Sequence, residues 1–226
     1  MSDPEIAILL TTYKRTECAV RTIESVRKNF RWGNISWWVS DDGSDKTHVD
    51  AVMSAIGPTY TTHFFSSGGR GVGYGMNHNL RSLFVSIDMV LVLEDDWELT
   101  QPLNVATYAN TLLNHQEYGM IRFGYIFPNL LGYTISEESC LYWRLEPNQE
   151  TYIFAGHPSL RHKRFHTAYG YYDEGLAPGM TELSMCGKVN LKYGNPYILY
   201  PALCGAYGFF AHTGSDSLAD INPRKK

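Results

Sequence analysis

Three short apolar runs in this chain each break off into a polar cluster, and that pattern limits the available folds. Glu5–Thr11 runs into Thr12-Tyr13, Ser36–Ser40 into Asp41-Asp42-Gly43-Ser44, and Met89–Leu93 into Glu94-Asp95-Asp96. Apolar residues at helical spacing (Ala19, Ile23, Val26, Phe30) separate the first two runs. A short helix is predicted over Val49–Ile56, a strand over Tyr60–Phe65, and a helix over Met76–Val85 behind the glycine-rich stretch Gly68–Gly75. Strands of continuous apolar character alternating with amphipathic helices predict an α/β fold, an open, mostly parallel sheet flanked by helices. In such sheets ligands bind beyond the carboxyl ends of the strands, where these polar clusters lie.

The second half is less regular. Leu141–Arg144 and Tyr152–Ala155 read as strands, and His157–His166 as a basic segment with helical character. Thr181–Leu191 reads as a helix and Tyr207–His212 as a last strand. No repeat, low-complexity tract or linker interrupts the 226 residues. A chain of this length supports one domain, here 1–226, divided at about residue 97 into a more regular first half and a less regular second half.

Composition closes off several classes. With 44% apolar and 19% charged residues the chain is neither disordered nor a coiled coil. Its four cysteines form no C-x-x-C pair, which argues against a zinc ribbon or a disulfide scaffold. Nineteen basic against 23 acidic residues give no general basic surface, although Arg161–Arg164 and Arg224–Lys226 are local exceptions. No segment has the length to span a bilayer, and the acidic start does not resemble a secretion signal. The expectation is a soluble, cytoplasmic protein.

The acids carry the chemistry. Three consecutive carboxylates at a strand end repel one another unless a cation shares them. Strand alternation would point Glu94 and Asp96 to one side and Asp95 to the other, a geometry that suits a hard divalent ion (Mn2+ or Mg2+). The plain alternative is a solvated acidic turn. Asp41-Asp42-Gly43-Ser44 reads either as turn punctuation or as a carboxylate site for a base or ribose. The glycine-rich stretch precedes a helix N-terminus, as a phosphate cradle would, but lacks the Lys-Ser/Thr of a P-loop. Glu182 alone is a first-turn helix acid, and His212 alone a structural histidine at a strand end.

Taken in order, these segments resemble the family 2 glycosyltransferases, nucleotide-sugar enzymes of the GT-A fold. Ile8–Tyr13 is similar to the family's opening strand and turn, and Val39–Ser44 to its V-x-D-D-G-S segment. Gly71–Asn77 is similar to its G-x-x-x-A-R-N helix start, with Met76 where an Arg is usual. Leu93–Asp96 resembles the D-x-D metal motif in its Glu-Asp-Asp form. Gly170–Leu176 is similar to the family's G-x-x-D-E-x-L, and Phe210–Ser217 to the late segment whose His completes a metal site. The resemblance implies donor contacts from Thr11, Tyr13, Asp41, Asp42, Gly71, Asn77, Glu94 and Asp95. It also implies a metal held by Asp96 and His212, and a general base at Glu182, where the family has a Glu-Asp pair.

The expected function is therefore an inverting, metal-dependent glycosyltransferase of hexosyltransferase type. It would take a nucleoside diphosphate sugar, a UDP-sugar first, and glycosylate a hydroxyl of a soluble acceptor. A glycan, a protein, a metabolite and a hydroxylated nucleobase in DNA all remain open as acceptors. Two rivals are a nucleotidyltransferase, which would be expected to carry a glycine-rich loop after the first strand, and a non-catalytic nucleotide-sugar-binding module on the same fold.

Overall fold

The structure is a computed structural model that describes residues 4–123, 132–137, 140–145, 153–177, 179–191, 200–204 and 209–214. In chain order, β1 (Ile6–Thr12) leads into α1 (Thr16–Asn29), β2 (Phe30–Arg31), β3 (Ile35–Asp41), α2 (Lys46–Ile56), β4 (Thr61–Ser66), α3 (Val72–Leu83) and β5 (Met89–Glu94). There follow β6 (Trp97–Leu99), β7 (Leu103–Asn104), α4 (Ala106–Asn114), β8 (Tyr118–Arg122), β9 (Gly132–Glu137) and β10 (Cys140–Leu145). The last elements are β11 (Ser159–His162), α5 (Lys163–Tyr169), α6 (Met180–Leu191), β12 (Tyr200–Cys204) and β13 (Phe210–His212).

Nine of these strands form one sheet in the order β4-β3-β1-β5-β11-β8-β12-β10-β9. The first four are mutually parallel, as the alternation of strands and helices predicts. The chain steps outward from β1 to β3 and β4, then crosses back to add β5 on the other side of β1. Polar crevices form at such a reversal of strand order. Its register aligns Thr12 with Asp41 and Thr11 with Glu94, so the three polar clusters lie in one row. Antiparallel β11 is bonded to β5 on one side and β8 on the other, and so joins the two halves of the sheet.

β1 is buried along its whole length because both faces are covered. Ile6, Ile8 and Leu10 pack with Ile23 and Val26 of α1 and Val52 of α2. Ala7 and Leu9 face the opposite cluster, with Leu80 and Leu83 of α3, Phe165 of α5 and Met185 of α6. Each fully buried Leu or Ile contributes roughly 1.5–3 kcal/mol. The continuous apolar run in the sequence is the signature of this two-sided burial.

The second half departs from the sequence reading in places. The expected helix over 157–166 is a strand followed by a helix, β11 and then α5, with His162 accepting the Arg164 N–H as cap. Residues 153–155 are irregular rather than strand. Their buried side chains, Ile153 and Phe154, fill the core beneath α5 and α6 while β11 takes the sheet position. Tyr152, Tyr207 and the tail Arg224–Lys226 lie outside the described residues. The basic run is largely spent on internal contacts: Arg161 is buried, Lys163 pairs with Asp88 at 2.6 Å, and Arg164 bonds His162.

α3 is fastened to the second half of the chain by Asn77. Its Nδ2 donates to the Tyr172 carbonyl at 2.9 Å and to Glu174 Oε1 at 2.7 Å, and its Oδ1 accepts the Tyr172 N–H at 2.9 Å. Gly73 allows this approach, since a Cβ there would lie 2.6 Å from the Asp173 carbonyl oxygen. Asn77→Ala leaves buried backbone groups unpaired and is expected to destabilise the protein by about 1–3 kcal/mol in chemical denaturation. Unchanged stability would contradict this fastening role.

Candidate active site

The ends of β1, β3 and β5 form one polar cluster. At β3, Asp41 Oδ2 accepts the N–H groups of Gly43 (2.8 Å) and Ser44 (2.9 Å) and the Ser66 hydroxyl (3.0 Å). Asp41 Oδ1 is buried with no hydrogen-bond partner among the described residues. Asp42 accepts from the Gly71 N–H at 2.9 Å and from the Ser67 hydroxyl. Asp42 therefore holds the glycine-rich loop against the sheet, while Asp41 braces its own turn and the end of β4. Gly71 caps α3 at φ 90°, a backbone state that favours glycine.

β5 ends at Glu94, and Asp95 and Asp96 sit in the turn to β6. Strand alternation therefore stops two residues short of Asp96, and Asp95 and Asp96 both reach the same guanidinium. Arg15 Nη2 pairs with Asp95, and Nη1 with Asp96 at 2.5 Å. Asp95 is fully buried and tied to the end of β1, accepting from the Thr12 hydroxyl at 2.9 Å and the Tyr13 N–H at 3.2 Å. The Thr11 hydroxyl donates to the Leu93 carbonyl at 3.3 Å, which locks β1 to β5.

Asp96 is approached from the C-terminal side. β13 pairs with β6 so that His212 faces Trp97, and the Thr213 N–H donates to the Asp96 carbonyl at 2.8 Å. His212 Nε2 then lies 3.2 Å from Asp96 Oδ2. Trp97 has His157 and His212 beside it, with ring centroids at 4.9 and 5.0 Å. The His157 imidazole is pushed down to about 3 by burial, with Arg122 and His212 acting in the same direction, so it is neutral.

Glu182 enters from the first turn of α6 and accepts the Gly156 N–H. A Cβ on Gly156 would lie 2.5 Å from Glu94 Oε1 and 2.8 Å from Glu182 Oε1. The glycine is thus the spacer against which two carboxyls from distant segments meet. Burial first, then the negative charges of Asp96, Glu182 and Asp95, push Glu94 up to about 8. Burial also raises Asp95 to about 6, with Arg15 and the Thr12 bond opposing it. Next to this group the fully buried Arg161 donates to the Tyr172 hydroxyl from beneath.

Among the described residues no group of three His, Cys, Asp or Glu side chains is placed to hold a metal unaided. Asp96 and His212 nonetheless fit a divalent ion that completes its shell with oxygens from outside the protein. Asp96 Oδ1 is buried and unbonded, and the His212 imidazole stands on the same carboxylate. The structure brings Thr11, Tyr13, Asp41, Glu94, Asp95, Asp96, His212 and Glu182 to one end of the sheet. Asp42 and Gly71 shape the adjoining loop, and Asn77 lies behind it on α3. Sequence reasoning passed over Arg15, Gly156, His157 and Tyr172. Arg15 could have been found as a cation in the turn leaving the first strand; the others become visible only when β11 and the segment before it are placed.

Neither a family model nor a curated protein matches this chain. Solved structures do share its fold. TarS 1-349 of S. aureus superposes with a TM-score of 0.67 at 14% identity, over 92% of this chain and 60% of that one. The same protein in complex with UDP-GlcNAc gives 0.68 at 13% identity, over 94% and 59%. The mannosyltransferase PcManGT from Pyrobaculum calidifontis, in complex with GDP-Man and Mn2+, gives 0.57 at 14%, over 88% and 59%. This chain thus spans about 60% of the length of these structures. The expected α/β, GT-A-like architecture is borne out.

The raised carboxyls make stability depend on pH. Glu94 is protonated in the fold up to about 8 but only to about 4.5 when unfolded, so its contribution is complete below 4.5 and lost as pH rises to 8. Buried His157 and His166, both pushed down to about 3, act oppositely and lose their contribution as pH falls below 6.5. Without metal or nucleotide, the melting temperature is therefore expected to fall between pH 6.5 and 8, and Glu94→Gln to flatten that fall. An equal slope in the variant would place the effect elsewhere.

Proposed function

We propose that this chain is an inverting, metal-dependent glycosyltransferase that moves a hexosyl group from a nucleoside diphosphate sugar, a UDP-sugar first, to a hydroxyl of a soluble acceptor. One observation carries the reading: the acids at the end of β5 and in the turn after it, the histidine of β13 and the first-turn glutamate of α6 converge where the strand order reverses. That convergence, on the fold shared with sugar-nucleotide-bound structures, favours transfer over the nucleotidyltransferase and binding-module alternatives. On this reading the half over 1–97 binds the nucleotide and the half over 98–226 the acceptor, with His212 reaching back from the second half to Asp96.

On this reading Asp41 Oδ1, which has no described partner, accepts the imino N–H of the base. The Asp42–Gly71 loop packs beside the nucleotide, and Glu94, as a neutral carboxyl, donates to a ribose or sugar hydroxyl. Asp96 and His212 would hold a divalent ion, which when bound neutralises charge growing on the leaving diphosphate. The acceptor hydroxyl is a weak nucleophile, and Glu182 takes its proton as it attacks. The Gly156 N–H fixes one oxygen of that carboxylate. Attack from the face opposite the leaving group inverts the anomeric carbon.

Asp173 and Glu174, the acids of the Gly170–Leu176 stretch and the nearest substitutes for Glu182 as base, are engaged elsewhere. Asp173 is paired with Lys188 at 2.7 Å and Glu174 is bonded to Asn77. A nucleic-acid acceptor loses support because the basic run 161–164 is largely occupied. No described helix is long and apolar enough to cross a membrane, and a cytoplasmic setting fits a nucleotide-sugar donor.

Glu182→Gln keeps size and hydrogen bonding but cannot take a proton. Turnover is expected to drop about 10²–10⁴-fold with donor affinity unchanged, measured by steady-state transfer and calorimetric titration of the donor. Near-normal turnover in this variant would remove Glu182 from the chemistry.

A further inference from the structure

The carboxylates proposed for the metal already carry a cation. The Arg15 guanidinium lies across both turn acids, bonded to Asp95 through Nη2 and to Asp96 through Nη1 at 2.5 Å. The Arg15 side chain is 16% exposed, and those of Asp95 and Asp96 are 0% and 6% exposed, so water screens this triad poorly. Arg15 Nε is buried without a hydrogen-bond partner, and so is Asp96 Oδ1. The triad is therefore incompletely satisfied on both the cationic and the anionic side. Such orphaned groups are costly unless a ligand completes them.

A divalent ion arriving alone on Asp96 would sit against this guanidinium and be repelled by it. A nucleoside diphosphate changes the balance. Its oxygens suit the planar fork of a guanidinium and supply the negative charge that the turn acids give up to the metal. Arg15 stands at the β1–α1 turn, beside the ends of β1 and β5, where it can turn from carboxylate to phosphate.

Resting on the reading above, we infer that Arg15 is a resident counter-cation that keeps divalent-metal affinity low until a nucleoside diphosphate arrives, so that metal and donor bind as a coupled pair. Coupling of this kind is reciprocal: the nucleotide raises metal affinity by the factor by which metal raises nucleotide affinity.

The test is calorimetric titration of manganese chloride into wild type, Arg15→Gln and Arg15→Lys, each with and without saturating UDP. Without UDP, Arg15→Gln is expected to bind manganese more tightly than wild type by about 10–100-fold, the range over which groups bonded to a metal's ligands tune affinity. Arg15→Lys, whose point charge cannot bridge both carboxylates as the fork does, is expected to fall between them. With UDP the difference should shrink. Should Arg15→Gln fail to fold, the lysine variant decides. Variants that bind free manganese no more tightly than wild type, or that differ from it equally with and without UDP, overturn the inference while leaving the proposed activity standing. A wild type that binds no manganese even with UDP overturns the parent reading, and this inference with it.

Discussion

Four carboxyls, Glu94, Asp95, Asp96 and Glu182, are gathered at one poorly solvated end of the sheet, and the surrounding structure is arranged to tolerate them. Like charges so placed cannot all remain ionised without compensation. The protein answers in three ways. Arg15 neutralises part of the charge on Asp95 and Asp96, Asp95 accepts hydrogen bonds from the end of β1, and Glu94 is driven toward its neutral form. None of these removes the acidity. An excess remains, centred on Asp96, whose unbonded oxygen and neighbouring imidazole suit a cation.

Topology makes the cluster possible. The return of the chain to β5 after β4 places Glu94 level with Thr11, while the antiparallel β11 continues the sheet from β5 to β8. β13, pairing with β6 outside the main sheet, brings His212 to Asp96. α6 brings Glu182 to Gly156, and Asn77 holds the loop at Tyr172 that lies between α3 and α6. Groups separated by more than a hundred residues, such as Asp96 and His212, thus come within hydrogen-bond reach. The rigid elements that position them are buried on both faces of the sheet.

The first half of this arrangement was legible in the residues because its strands are continuous apolar runs ended by acids and glycines. Parallel strands buried on both faces leave that mark, and Ile6–Leu10, Trp37–Val39 and Val90–Leu93 carry it. The second half was less legible because its strands owe their places to tertiary pairing. Arg161, a buried cation inside β11, looks like part of a solvated basic helix until the ladder to β5 and β8 is drawn. A strand that continued past Glu94 would put Asp95 and Asp96 on opposite faces, whereas the backbone turns after Glu94. Arg15 was missed for a related reason: its partners lie about 80 positions away and only the β1–β5 pairing brings them together.

A crystal structure of the protein grown with UDP and manganese tests the account most directly. The account predicts an anomalous manganese peak beside Asp96 and His212, diphosphate oxygens between it and the β1–α1 turn, and the base against Asp41. A nucleotide bound away from the ends of β1, β3 and β5, or manganese bound without Asp96, would contradict it.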